Sequence, residues 1–221
     1  MSVPSDIQRQ HWDQTYIEKP GMFGDEPSSA ARSAAALFEQ EGMTSILELG
    51  GGHGRDTIYF ARQGFQVTVF DYSEHGVAEI AGRARATGYE QAVTAARHDV
   101  REPLAVPDAS VDACYSHMLF CMALSTVELE ALSREVWRVL RPGGLHVYTV
   151  RNTSDPHYGV GTHHGEDRYE TGGFQVHFFD RSKVNRLAQQ FEILDIEAFE
   201  EGTLPRRLFR VTLRKPVAGA M

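Results

Sequence analysis

Short apolar runs alternate with segments of helical period through most of this chain, the signature of strands crossed over by helices in a parallel sheet. Ser45 to Gly50 reads as a first strand, and a helix from about His53 carries Ile58, Phe60 and Ala61 to a stop at Gly64. Gln66 to Asp71 is a second strand. Ser73 opens a helix that runs to about Gly88. Ala92 to Arg97 and Val111 to Ser116 are the third and fourth strands. Ser125 and Glu128 have the spacing of a capping box, and Leu129, Leu132, Val136 and Val139 follow on one helical face. Pro142-Gly-Gly stops that helix before a fifth strand, Leu145 to Val150. Asp180 caps a last helix, and runs near 192–199 and 207–214 close the fold. The expected architecture is therefore a Rossmann-like, doubly wound α/β sheet.

Two stretches stand outside the alternation. Residues 1–27 precede the sheet and carry Trp12, Tyr16 and Phe23. Residues 151–179 read as a long connection rich in Gly, His and Tyr. Connections of that length are often lids or binding loops, so this one is expected on the substrate side. The layout is a single domain: an N-terminal cap over 1–44, a core over 45–150, a substrate-side insertion over 151–179, and a closing helix and strands over 180–214.

Composition narrows the classes. With 42% hydrophobic and 24% charged residues among 221, a folded protein is expected. The formal charge of −8 argues against a broad nucleic-acid-binding face, although Arg206, Arg207 and Arg210 could make a local basic patch. Two cysteines, both in apolar runs, cannot build a disulfide framework. No window approaches a membrane span, so no membrane partner and a cytoplasmic location are expected, as a monomer or homodimer.

The chemistry gathers behind the first strand, in Glu48-Leu-Gly-Gly-Gly-His-Gly54. A dinucleotide fingerprint needs G-x-G-x-x-G. Reading from Gly50 or Gly52, the third glycine position holds Arg55 or Thr57, and reading from Gly51 the second holds His53. That spacing argues against a nicotinamide-dependent dehydrogenase. What is present is acidic-x-G-x-G-x-G, with Glu48, Gly50, Gly52 and Gly54. Asp71 ends the second strand some twenty residues on, where a carboxylate can accept ribose hydroxyls. It could equally be a strand-end turn residue. Asp99, before Val100, could read an adenine edge or be an ordinary turn aspartate.

With these residues in hand, the chain resembles the class I S-adenosylmethionine-dependent methyltransferase family. The carrying segments are Ile46 to Gly54, Val69-Phe-Asp-Tyr-Ser73, His98-Asp-Val100, Val111 to His117 and Leu140-Arg-Pro-Gly-Gly-Leu145, in family order. The resemblance implies a seven-stranded sheet with the last strand antiparallel, and S-adenosyl-L-methionine as cofactor. Gly50, Gly51, Gly52 and Gly54 would cradle its methionine end with support from Glu48. Asp71 would hold the ribose with Tyr72 beside the adenine, Asp99 and Val100 would read the adenine edge, and Ser116 and His117 would border the sulfonium. The segment from Trp12 to Pro27 is similar to the entry of small-molecule members.

Tyr16 and Phe23 are candidate aromatic walls, or ordinary packing. His157, Tyr158, His163, Tyr169 and His177 cluster in the insertion with several carboxylates. Three readings stand there: an acceptor-binding lid with a histidine base, solvated surface residues, or a metal site, for which the ligand spacing is poor. No resident metal is expected. His117 is a catalytic candidate or a satisfied core histidine, and His157 and Tyr158 are the other catalytic candidates. The expected activity is methyl transfer to a small molecule; a peptide or protein acceptor, or a cofactor-binding protein without catalysis, are the alternatives.

Overall fold

A computed structural model of the chain describes residues 4–19, 21–202 and 206–217. Two helices, α1 (Pro4–Glu18) and α2 (Ser29–Gln40), precede the sheet. The alternation then runs β1 (Ser45–Leu49), α3 (Arg55–Arg62), β2 (Gln66–Asp71), α4 (Glu74–Thr87), β3 (Val93–Arg97), β4 (Val111–His117), α5 (Thr126–Val139) and β5 (Leu140–Arg151). A small meander of β6 (Thr162–His163), β7 (Arg168–Thr171) and β8 (Phe174–His177) comes next, then α6 (Arg181–Leu187), β9 (Glu192–Glu201) and β10 (Arg206–Arg214).

The main sheet has the order β3-β2-β1-β4-β5-β10-β9. Strands β1 to β5 pair in parallel, and β10 runs antiparallel to both β5 and β9. The seven strands and the reversed last strand are those the resemblance implies. From β1 the chain winds outward to β3 and then returns to β4 on the other side. The carboxyl ends of β1 and β4 therefore diverge into a crevice, the usual ligand position in open α/β sheets.

Local chemistry explains the element ends. Ser73 caps α4 by accepting from the Gly76 amide, and Gly88 closes it in the left-handed conformation. Ser125 and Glu128 form the reciprocal capping box of α5. Each sheet face is covered. Leu129, Leu132 and Val136 of α5 pack on one side with Tyr148 and Val150. Phe38 of α2, Phe60 of α3 and Ile80 of α4 pack on the other with Ile46 and Val67.

One expectation changes. Residues 151–179 carry a three-stranded antiparallel sheet. Its strands are two to four residues long, too short for a period-2 pattern to stand out. Helix α1 lies against α4 and β8, where Gln8 donates from its Nε2 to the Gly173 carbonyl at 2.7 Å.

Candidate functional site

The turn after β1 is built by steric exclusion. Gly50, Gly52 and Gly54 have φ of 76°, 56° and 81°, in the left-handed region that side chains disfavour. Gly51 lies elsewhere on the map but has no room: a Cβ there would stand 2.4 Å from Cγ2 of Val69 and 3.0 Å from Cδ1 of Ile80. The loop is thus pressed onto β2 and α4, its backbone facing the crevice, and Gly54 opens α3.

Three buried carboxylates sit around this turn. Asp71 accepts from the Gly52 amide and from the Ser73 amide, both at 2.9 Å. Burial outweighs these bonds, and its pKa rises to about 6. Asp13 of α1 adds repulsion, and accepts a hydrogen bond from the Ser73 hydroxyl. Glu48 lies deeper. Burial, then the charge of Asp56, pushes it up to about 8, against the hydrogen bond donated by Thr57 at 2.5 Å. A group with that pKa is mostly protonated at neutral pH. Asp56 is fully engaged, by the amide and hydroxyl of Ser28 and by the Tyr115 hydroxyl.

Beyond β2, Tyr72, Asp99 and Val100 line the same crevice. Asp99 does not stand open as the sequence reading placed it. Arg101 folds back on it through Nε at 2.8 Å and a second guanidinium nitrogen. Burial would raise Asp99, but the Arg101 bonds prevail and hold its pKa below the ordinary range. An adenine edge would meet Asp99 with this guanidinium already bound.

The crevice runs on past β4 and encloses about 930 Å³. At the end of β4, His117 is half-buried between two groups. Its Nδ1 is 2.9 Å from Thr149 Oγ1 and its Nε2 is 3.2 Å from Glu201 Oε2. The Thr149 oxygen already accepts from the Met118 amide, leaving its one proton for Nδ1. That arrangement assigns the neutral ring a proton on Nε2, shared with Glu201. Burial would raise Glu201, yet the hydrogen bond from His117 brings its pKa below the ordinary value. Met118 follows in the left-handed conformation at φ 62°, a strained turn that carries the chain off β4 along the crevice wall. Glu201 had no sequence signal, since it reaches the site from a hairpin some eighty residues downstream.

The roof comes from the two irregular stretches. Tyr16 of α1 is buried over His53, with ring centroids 4.5 Å apart, and Phe23 packs beside both. Trp12 meets Phe174 of β8 at 4.8 Å. Tyr169 and Phe178 complete the aromatic wall on the insertion side. His157 also lines the crevice, with Nδ1 facing a guanidinium nitrogen of Arg151 at 2.6 Å.

Several expected residues lie elsewhere. His177 is fully buried behind the wall. It bonds the Leu124 carbonyl through Nδ1 at 2.7 Å and Lys183 through Nε2, and burial lowers its pKa to about 4. With both nitrogens engaged it has none for a substrate. His163 is exposed and stacks on the outer side of Tyr169 at 4.8 Å. The Tyr158 hydroxyl turns outward to Asp167 at 2.8 Å, so the crevice does not reach it. Ser116 is buried under β4's end, and Gly54 serves the helix start; neither lines the crevice. Among the described residues no group of three or more His, Cys, Asp or Glu is placed to hold a metal ion, and no helix is long and apolar enough to cross a membrane. Of the basic patch, Arg207 bonds Glu200 and Arg210 bonds Glu197, while Arg206 lines the crevice.

Comparison with known proteins agrees with this layout. Residues 46–144 match the model of a methyltransferase domain. The fold is similar to that of 1,6-didemethyltoxoflavin-N1-methyltransferase from Burkholderia thailandensis, solved with 1,6-didemethyltoxoflavin and S-adenosylhomocysteine bound. The TM-score is 0.75 at 21% identity, over 98% of this chain and 92% of that one. The N-methyltransferase NodS of Bradyrhizobium japonicum, in complex with S-adenosylhomocysteine, has a TM-score of 0.71 at 13% identity, over 95% and 98%. The [4+2]-cyclase SpnF has a TM-score of 0.64 at 23% identity, over 85% and 82%. No curated protein matches the chain. At such identities the structures establish the fold, and the cyclase is a reminder that the reaction must be argued from the site.

Proposed function

We propose that this chain, which carries a methyltransferase domain in a Rossmann-like fold of the class I kind, binds S-adenosyl-L-methionine and transfers its methyl group to a small-molecule acceptor. The observation that carries the reading is one continuous crevice, leading from the glycine turn and Asp71 to His117 under an aromatic roof. The residues suit a nucleoside sulfonium. The glycine turn brings bare backbone to one end, and Asp71, held by two amides, keeps lone pairs for a sugar diol in the crevice it lines. Tyr72 and Val100 offer an apolar slot beyond it.

When bound, the cofactor supplies an activated methyl group on sulfur. The chain's own residues have three tasks. Tyr16, Phe23 and Trp12 exclude water from the glycine-turn half, where aromatic faces also favour a cation. Met118, Leu119 and Met122 form the floor against which an acceptor is aligned, since alignment can contribute several kcal/mol to such a displacement. His117, its Nε2 proton held by Glu201, receives a proton from a hydroxyl or ammonium acceptor at Nδ1, where the acceptor takes the place of the Thr149 hydroxyl. A roofed crevice of this size favours small molecules over a protein surface.

Incubation with methyl-labelled S-adenosylmethionine and a metabolite extract tests the reading. Label is expected in small molecules. Label only in macromolecules would favour a peptide or protein acceptor, and tight cofactor binding with no transferred label would favour a binding protein.

A further inference from the structure

Resting on the methyltransferase reading, we infer that the acceptor is an apolar or aromatic carboxylate, its carboxylate seated at the outer end of the crevice by Arg151, His157 and Arg206. Register places these groups together. His117 lies opposite Thr149, and Arg151 is two residues further along the same face of β5. Leu208 of β10 faces Arg151, Arg206 is two residues before Leu208, and Glu201 faces Arg206. Side chains two apart on a strand share a face at a spacing of about 7 Å. The three donors therefore stand within a small molecule's length of His117.

Hydrogen-bond accounting leaves this corner rich in donors. Asp155 is filled by four: Arg151 through Nε and one terminal nitrogen, the His157 amide at 2.9 Å and the Arg207 amide at 2.9 Å. A guanidinium only donates, so the 2.6 Å contact from Arg151 makes His157 Nδ1 an acceptor and puts the ring proton on Nε2. Arg151 is 8% exposed and lines the crevice, yet its second terminal nitrogen, Nη1, has no partner among the described residues. The Arg206 guanidinium has none either, and Glu201 opposite turns to His117. Glu200 answers Arg207. Nη1 keeps two N–H donors beside the crevice, and a carboxylate can accept from them together with His157 Nε2 and Arg206. Tyr169, Phe178 and Val176 wall the space between the donors and His117, and they set the apolar body.

The test is calorimetry on the protein saturated with S-adenosylhomocysteine, whose own binding is measured first. Benzoate, phenylacetate and cinnamate are each titrated against their primary amides. The acids are expected to bind at least about tenfold more tightly than the amides, the margin of a charge-assisted pair. Arg206→Ala, at an exposed strand start, is expected to weaken the acids about tenfold with S-adenosylhomocysteine affinity unchanged. Equal binding of acids and amides, no acid binding at tens of millimolar, or acid affinity untouched by Arg206→Ala overturns the inference and leaves the methyltransferase reading standing. Failure of S-adenosylhomocysteine itself to bind overturns both.

Discussion

Asp71 makes cofactor affinity a function of pH. Its carboxyl is buried and its pKa lies near 6 in the free protein. A sugar diol donates to the ionised form, so binding draws on the deprotonated fraction only. Above about pH 7 that fraction is nearly whole. As pH falls below 6 the fraction approaches a tenfold loss per unit, each such unit costing about 1.4 kcal/mol of apparent affinity. At pH 5 the carboxylate is about one-eleventh populated, so the dissociation constant should be about tenfold larger than at pH 8. Calorimetric titration of S-adenosylhomocysteine at four pH values, with proton release read from buffers of different ionisation enthalpy, measures both quantities. Asp71→Asn removes the titration. At pH 8 it should weaken binding by about 1.5–3 kcal/mol, the worth of a hydrogen bond to a charged group. The amide also sets an N–H donor against the Gly52 or Ser73 amide, so melting temperatures must be recorded beside the affinities. Affinity that is flat from pH 5 to 8, or an asparagine variant that binds as tightly as the parent, would refute the argument.

Glu48 acts on the folding equilibrium, and with the opposite dependence on pH. Its folded pKa of about 8 exceeds the ordinary value of 4.5, so its contribution is complete below 4.5 and is lost as pH rises toward 8. Glu48→Gln should therefore gain stability over the parent by up to about 1.4 kcal/mol per pH unit across that window, seen as melting curves that diverge with pH. Parallel curves would remove the burial argument. Gly51→Ala should cost about 1–3 kcal/mol by overpacking on Val69, and Val69→Ala in the same chain should recover part of it in denaturant titrations. Strictly additive losses would contradict the contact. His117→Ala should lower turnover about a hundredfold, with cofactor affinity nearly unchanged. Glu201→Gln should alter the pH dependence of kcat; an unaltered profile would make the pair structural.

The sheet and the cofactor half were legible because both depend on the backbone. β1, β2 and β4 announce themselves as apolar runs, and the glycines between Gly50 and Gly54 can be nothing else where φ is positive or a Cβ would strike Val69. The acceptor half was not. His163 and His177 share the histidine-rich stretch with His157, but only His157 faces the crevice: His163 is exposed against Tyr169, and His177 alternates with Val176 to the opposite face of β8 and is buried. Glu201 and Arg206 reach the site through the β9–β10 pairing, which no local pattern encodes. Arg101 lies two residues past Asp99, and nothing in that spacing says it will fold back.

The division follows from how the crevice is made. Its inner half lies at the switch between β1 and β4, where the order of strands alone opens a gap and backbone amides supply the donors. Any sequence able to build that gap must place small residues and an acid at fixed distances, so the requirement shows in one dimension. Its outer half is side chains from β7, β8, β9, β10 and the turn after β5, elements whose strand or turn character places no demand on which side chain they present. Hydrogen bonding there is settled by saturation: Asp155 takes four donors and is spent, Glu201 takes His117, and what is left over is N–H donors. That residue of unpaired donors is a property of the assembled corner and of none of its segments. It is why the acceptor, unlike the cofactor, has to be sought by counting hydrogen bonds in three dimensions.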